Sequence, residues 1–149
     1  MSVSNKDVIR RLYQEVWNDQ KLEVADQVIS KTHALNEPTV VGAAVGPENY
    51  KRQAKRFITA FPDLRFTVDE LLAEKDKVVA AWTLSATHKG EFLGLAPTGK
   101  RISVSGITIH HVADGKILDS YAIWDALTLL PQMDVVLPVR FEKWSASAR

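Results

Sequence analysis

The stretch Arg101–Trp124, RISVSGITIHHVADGKILDSYAIW, decides the fold. On both sides of Ala113-Asp114-Gly115 apolar and polar residues alternate with the period of two that a strand imposes. The short break between the runs makes them an antiparallel hairpin. A three-residue loop, a type I turn closed by a left-handed Gly115, sets Val112 opposite Lys116. That register places Gly106 opposite Ala122, Thr108 opposite Ser120 and His110 opposite Leu118. One face then carries Gly106, Thr108, His110, Leu118, Ser120, Ala122 and Trp124. The other carries Ile107, Ile109, Tyr121 and Ile123. His111 points away from His110, so the two adjacent histidines do not form a metal-binding pair.

Working outward, Lys77–His88 and Leu64–Leu72 read as two further strands joined at Glu74-Lys75-Asp76. Glu91–Lys100, with Gly94, Pro97 and Gly99, is a longer loop before the hairpin. Toward the N-terminus the period becomes helical. Ser4 and Asp7 open a helix with Val8, Ile9, Leu12, Tyr13 and Val16 on one face. Leu22, Ala25, Val28 and Ile29 mark a short second helix. Ser30–Gly46 reads as a loop with a short strand near Thr39–Val41. A third helix starts at Gly46-Pro47-Glu48, where Pro47 costs no hydrogen bond, and Pro62 stops it. Ala126–Leu130 reads as a short helix. Helices followed by an antiparallel meander define an α+β chain. Four long strands are too few for a sandwich, so the sheet must bend and bury its concave face against three N-terminal helices.

The 149 residues suit one domain, here residues 1–133, with residues 134–149 as a C-terminal extension. A net charge of +1 gives no reason to expect nucleic acid or an anionic membrane as partner. The absence of cysteine removes disulfides, thiolate nucleophiles and cysteine–zinc sites. The polar N-terminus does not read as a signal peptide, and no apolar run reaches the ~20 residues of a membrane helix. A cytoplasmic location is the expectation. No glycine-rich phosphate loop or ligand cluster is present, so no cofactor and no metal are expected.

Phe61-Pro62-Asp63-Leu64, then Thr87-His88-Lys89-Gly90-Glu91-Phe92-Leu93-Gly94-Leu95-Ala96-Pro97-Thr98-Gly99-Lys100, then Asp114-Gly115-Lys116-Ile117 and Trp124-Asp125 resemble the SnoaL-like polyketide (ester) cyclase family. That family belongs to the nuclear transport factor 2-like superfamily. The resemblance covers roughly residues 5–133. It implies a cone-shaped α+β barrel around a pocket for a small apolar metabolite. It also implies cofactor-free acid–base chemistry of cyclase, isomerase or lyase type. In characterised cyclases of this family an aspartate on the last strand is the general acid/base for an aldol closure. A glutamine and a histidine on the preceding strand face it, and an asparagine comes from the loop after the second helix. In this chain those positions fall on Ala122, Gly106, Thr108 and Asn36, so three of the four groups are replaced.

His110 is left as the ionisable group of the expected pocket floor and is the leading candidate for proton transfer. The competing reading is a strand histidine that packs and hydrogen-bonds structurally. His88 stands at a strand end, either at the pocket mouth beside Glu91 or as a pin for its loop. Asp125 is either a site carboxylate or the N-cap of the short helix that follows. Asn36 and His33 could orient a ligand carbonyl or satisfy their own turn. Tyr50, Phe57, Trp82, Phe92, Thr108, Ser120, Ala122 and Trp124 are the expected substrate-contacting set, with Trp17 a further aromatic of lining or core. Lys51, Arg52, Lys55 and Arg56 form a basic stripe that reads as a solvated helix face. The apolar row Ile107, Ile109, Tyr121 and Ile123 suits an isologous homodimer contact through the open sheet face. An enzyme and a non-catalytic small-molecule binder both fit these features.

Overall fold

The computed structural model describes residues 4–40 and 42–139. Helix α1 (Asn5–Arg11) begins where the Ser4 hydroxyl accepts the Asp7 N–H at 3.1 Å. The chain then widens into a π-helical segment, Leu12–Asn18, in which the Asp19 N–H donates to the Gln14 carbonyl five residues back. Val8, Ile9, Leu12 and Val16 are buried along this continuous face. The expected second helix contracts to a 3₁₀ turn (Leu22–Val24) and one α-turn, α2 (Ala25–Val28). Helix α3 (Gly46–Ala60) carries Pro47 in its first turn. Helix α4 (Ala126–Gln132) is capped by Asp125, whose carboxylate accepts the Thr128 N–H at 3.1 Å.

One five-stranded sheet receives these helices. Its strands are β1 (Ile29–Asn36), β2 (Arg65–Glu74), β3 (Lys77–Thr87), β4 (Arg101–Ala113) and β5 (Lys116–Trp124), in the order β1-β5-β4-β3-β2. β1 runs parallel to β5, and the other pairs are antiparallel. This corrects the expected loop over Ser30–Gly46: the strand ends at Asn36, before Thr39, and Pro38-Thr39 is a turn. Val41, in the short strand expected near Thr39–Val41, lies outside the described residues. β1 hides its period because its register shifts between Ile29, which pairs with Ile117, and Ala34, which pairs with Asp119. That irregularity breaks the alternation by which a strand is read.

The closing hairpin also differs in detail. Asp114 (φ 52°) and Gly115 (φ 74°) are both left-handed, and Ala113 pairs with Lys116. The connection is therefore a two-residue turn of the type that Asp-Gly favours, rather than a three-residue loop. A bulge follows: Val112 pairs with Ile117 but His111 with Asp119, leaving Leu118 as the extra residue. Thr108 consequently faces Ala122, His110 faces Ser120 and Gly106 faces Trp124. Turn and bulge each displace the register by one residue in the same direction. Their sum is one full pleat, so Ser120, Ala122 and Trp124 still point to the same side as Thr108 and His110. Leu118 and Ile117 exchange sides: Ile117 is buried, and Leu118 is half-buried.

The sheet is curved and open, and α3 and the π segment pack against its concave side. Val78, Ala80, Trp82, Leu84 and Ala86 on β3 and Ile102, Val104 and Val112 on β4 are buried there. On the convex side Ile107, Ile109, Tyr121 and Ile123 remain 42–57% exposed. Of the expected C-terminal extension, residues 134–139 contain no strand and Lys100 pairs with Asp134; residues 140–149 lie outside the described set. No helix among the described residues is long and apolar enough to cross a membrane.

A candidate active-site cavity

Between α3, the π segment and the concave sheet lies a cavity of about 90 Å3. Trp17, Tyr50, Phe57, Phe66, Trp82 and Trp124 form much of its wall, with aliphatic groups such as Leu84, Ile102 and Val104 between them. These rings meet mostly edge-to-face: Trp17 with Phe66 at 5.1 Å between centroids, and Phe66 with Trp82 at 5.1 Å. Such contacts add to the area they bury and hold the wall in one shape. The π segment brings Tyr13 and Trp17 to the lining from one helical face. π-Helical turns inside α-helices recur at functional sites.

Polar groups concentrate at one place. Tyr13 Oη lies 3.1 Å from His110 Nε2, His110 Nδ1 lies 2.8 Å from Ser120 Oγ, and Ser120 Oγ lies 3.0 Å from His33 Nε2. Beside this chain the Trp82 indole N–H donates to Thr108 Oγ1 at 2.9 Å. All six residues are buried, and β4 and β5 place Thr108, His110 and Ser120 on one face. Burial holds the imidazoles neutral: it pushes the pKa of His110 down to about 3, aided by His33 nearby, and that of His33 down to about 4. Burial also pushes Tyr13 well above the usual tyrosine range, so its hydroxyl stays protonated.

A second polar group enters from the turn after β1. Glu37, whose side chain is only 5% exposed, lines the cavity. Its carboxylate accepts from Trp124 Nε1 at 2.7 Å, from the Thr39 N–H at 3.0 Å and from the Thr39 hydroxyl at 2.5 Å. Arg56 approaches it at 3.4 Å. Among the described residues Glu37 is the one carboxylate in the lining. No group of three or more His, Asp or Glu among the described residues is placed to hold a metal ion.

Of the sequence candidates, His110, Tyr50, Phe57, Trp82, Thr108, Ser120, Ala122 and Trp124 come together around the cavity. His88, Asp125, Asn36 and Phe92 do not line it. His88 pins the loop before β4: its ring nitrogen Nδ1 meets Thr98, and its backbone pairs with Lys100 and Gly99. Asp125 caps α4. Asn36 is exposed at the end of β1, and Phe92 packs on Phe57 and Phe61 behind the wall. In the basic stripe Lys51 pairs with Asp26 and Glu48, while Arg56 turns inward to Glu37 and Thr39. Sequence reasoning left Tyr13 on a core-facing stripe and overlooked Glu37 and Gln53. Once β1 is recognised, alternation from His33 through Leu35 points to Glu37 rather than Asn36.

A curved open sheet wrapped around a helix-lidded cavity defines the cone-shaped α+β class of nuclear transport factor 2-like folds. Residues 7–133 match the model of the SnoaL-like polyketide cyclase family, and the chain belongs to that family. Among solved structures it is similar to a candidate polyketide cyclase from Acidithiobacillus ferrooxidans, with 30% identity, TM-score 0.79, and 90% of this chain and 98% of that one covered. IdmH, a candidate polyketide cyclase from Streptomyces antibioticus, is 28% identical at TM-score 0.75, covering 87% and 97%. TsrD from Streptomyces laurentii is 26% identical at TM-score 0.76, covering 88% and 98%. No curated protein matches the chain.

Proposed function

We propose that this protein binds a small, mostly apolar carbonyl metabolite of polyketide or terpenoid type in the cytoplasm and catalyses a cofactor-free cyclisation or isomerisation of it. The observation that carries this reading is one buried, hydrogen-bonded cluster, Tyr13–His110–Ser120–His33, on the wall of an otherwise apolar cavity. A desolvated site makes a single placed donor or acceptor effective against charge developing on a carbonyl oxygen. His110 is the proton-transferring group. Because its ring is neutral near pH 7, it moves a proton within existing hydrogen bonds rather than by carrying a lasting positive charge. Glu37 adds a carboxylate on the same cavity wall.

The test is incubation with a panel of linear and bicyclic β-dicarbonyl compounds in D2O, followed by NMR. The expected outcome is ring closure, isomerisation, or deuterium uptake beside the carbonyl. His110→Ala should slow it by about 10²-fold or more. A second reading, a binder without turnover, is favoured by the methyl of Ala122 at the position where the family resemblance implies an aspartate. Saturable quenching of the cavity tryptophans with the compound recovered unchanged would select it. Under either reading two copies associate through the convex face of β4 and β5, where Ile107, Ile109, Tyr121 and Ile123 leave an apolar row uncovered.

A further inference from the structure

The buried cluster has a direction, and its ends determine it. At one end the Trp82 indole can only donate, so Thr108 Oγ1 accepts from it. At the other end His33 Nδ1 is buried and has no hydrogen-bond partner. Its own carbonyl is close to the ring but outside hydrogen-bond geometry. A buried N–H without an acceptor is rarer, and costs more, than a lone pair without a donor. The proton of the neutral His33 ring therefore resides on Nε2, which donates to Ser120 Oγ at 3.0 Å. Ser120 then donates to His110 Nδ1 at 2.8 Å, and His110 Nε2–H donates to Tyr13 Oη at 3.1 Å.

One chain of donors thus runs from His33 through Ser120 and His110 to the Tyr13 oxygen. The Tyr13 oxygen accepts the end of that chain, so its own proton is not spent on His110 and is free for an acceptor in the cavity, which Tyr13 lines. We propose that Tyr13 is the ligand-contacting group, a hydrogen-bond donor to a carbonyl or enolate oxygen, and that His33 and Ser120 are positioning residues that fix His110 as a donor behind it. This rests on the carbonyl-binding reading above and sharpens it: the cavity selects an oxygen acceptor, and His110 serves the developing charge on that oxygen through Tyr13. As negative charge grows on the ligand oxygen, the Tyr13 proton shifts toward it, and the His110 N–H stabilises the charge left on the phenol.

Two measurements test the inference. Long-range 1H–15N spectra of the unliganded protein at pH 7 should show His33 and His110 both protonated on Nε2. Ser120→Ala, which removes the link, should let the His110 tautomer populations change. An Nδ1–H tautomer at His110 in the wild-type protein overturns the proposal whatever the ligand. The second probe is 1-indanone against indane, its hydrocarbon counterpart, read by quenching of the cavity tryptophans. Tyr13→Phe should weaken 1-indanone by roughly tenfold, about the worth of one hydrogen bond, and leave indane unchanged. Equal weakening of both, or of neither, contradicts the donor role. If neither compound binds the wild-type protein, the carbonyl-binding reading fails separately, and the tautomer spectra still decide the direction of the chain.

Discussion

At the scale of single residues, His33 and His110 tie stability to pH. In the folded chain burial depresses both pKa values, to about 4 and about 3, whereas in the unfolded chain each ring takes a proton near 6.5. The unfolded state therefore binds more protons as the pH falls. The stability these groups contribute is complete above about pH 6.5 and is lost as pH descends toward 4 and 3. At pH 5 the loss should be about 2 kcal/mol for each ring. Urea midpoints at pH 7.5 and pH 5 measure it, because aspartates with lowered pKa values, such as Asp7, Asp63 and Asp76, change stability only below that window. A wild-type midpoint that drops, with a smaller drop in the His33→Gln/His110→Gln double variant, is the expected result; equal midpoints at the two pH values would contradict the buried neutral pair. At this scale the sequence was only partly legible. Alternation identified His110, Thr108, Ser120 and Ala122, because a strand face follows parity. It could not reveal that His33 reaches Ser120, since that contact needs β1 beside β5, nor that Tyr13 on the core-facing stripe reaches His110, since that contact needs the π segment packed on β4.

Elements decide how the site is held. Gly106 sits on β4 where an added Cβ would lie 2.4 Å from the Trp82 ring and 2.7 Å from Trp124 Cβ. The Trp124 atom is anchored close to the backbone and cannot swing away. Gly106→Ala should therefore displace Trp82, loosen its bond to Thr108 and destabilise the fold by about 1–3 kcal/mol. Thermal unfolding together with a changed tryptophan emission checks it; an unchanged melting temperature and spectrum would mean that the two indoles are not packed as described. In the β4–β5 turn the residue type matters through φ rather than contact. Gly115 has φ 74° and open space where a Cβ would be, so Gly115→Ala should cost about 1 kcal/mol through backbone strain alone and leave probe binding unaltered. The same hairpin explains why the inward face was readable although the register was not. An Asp-Gly pair signals a two-residue turn, but the bulge at Leu118 has no signature in composition. The two displacements restored parity by adding to one pleat, and only Leu118 and Ile117 exchanged sides. β1 was read as a loop because its irregular pairing erased the alternation on which strand recognition depends.

For the whole molecule, the order of helices before strands was enough to anticipate an α+β chain with a bent sheet, because a four- or five-stranded open sheet has few other ways to bury one face, while the cone shape was what the resemblance to the SnoaL-like family implied. The other face states its own consequence. Ile109 and Tyr121 pair across β4 and β5, with Ile107 and Ile123 as the next pair along, and all four are exposed. The account expects a homodimer that Ile109→Asp converts to monomer in sedimentation equilibrium, with the fold and the cavity retained. A monomeric wild-type protein would remove the dimer from the account and leave the cavity chemistry standing. That chemistry is tested most directly by a crystal structure of the protein with a bound apolar ketone or with the compound that copurifies with it. The account predicts the ligand inside the ring of Trp17, Phe57, Trp82 and Trp124, its oxygen within about 3 Å of Tyr13 Oη. A ligand oxygen turned away from the Tyr13–His110 pair, or a ligand held elsewhere on the molecule, would contradict it.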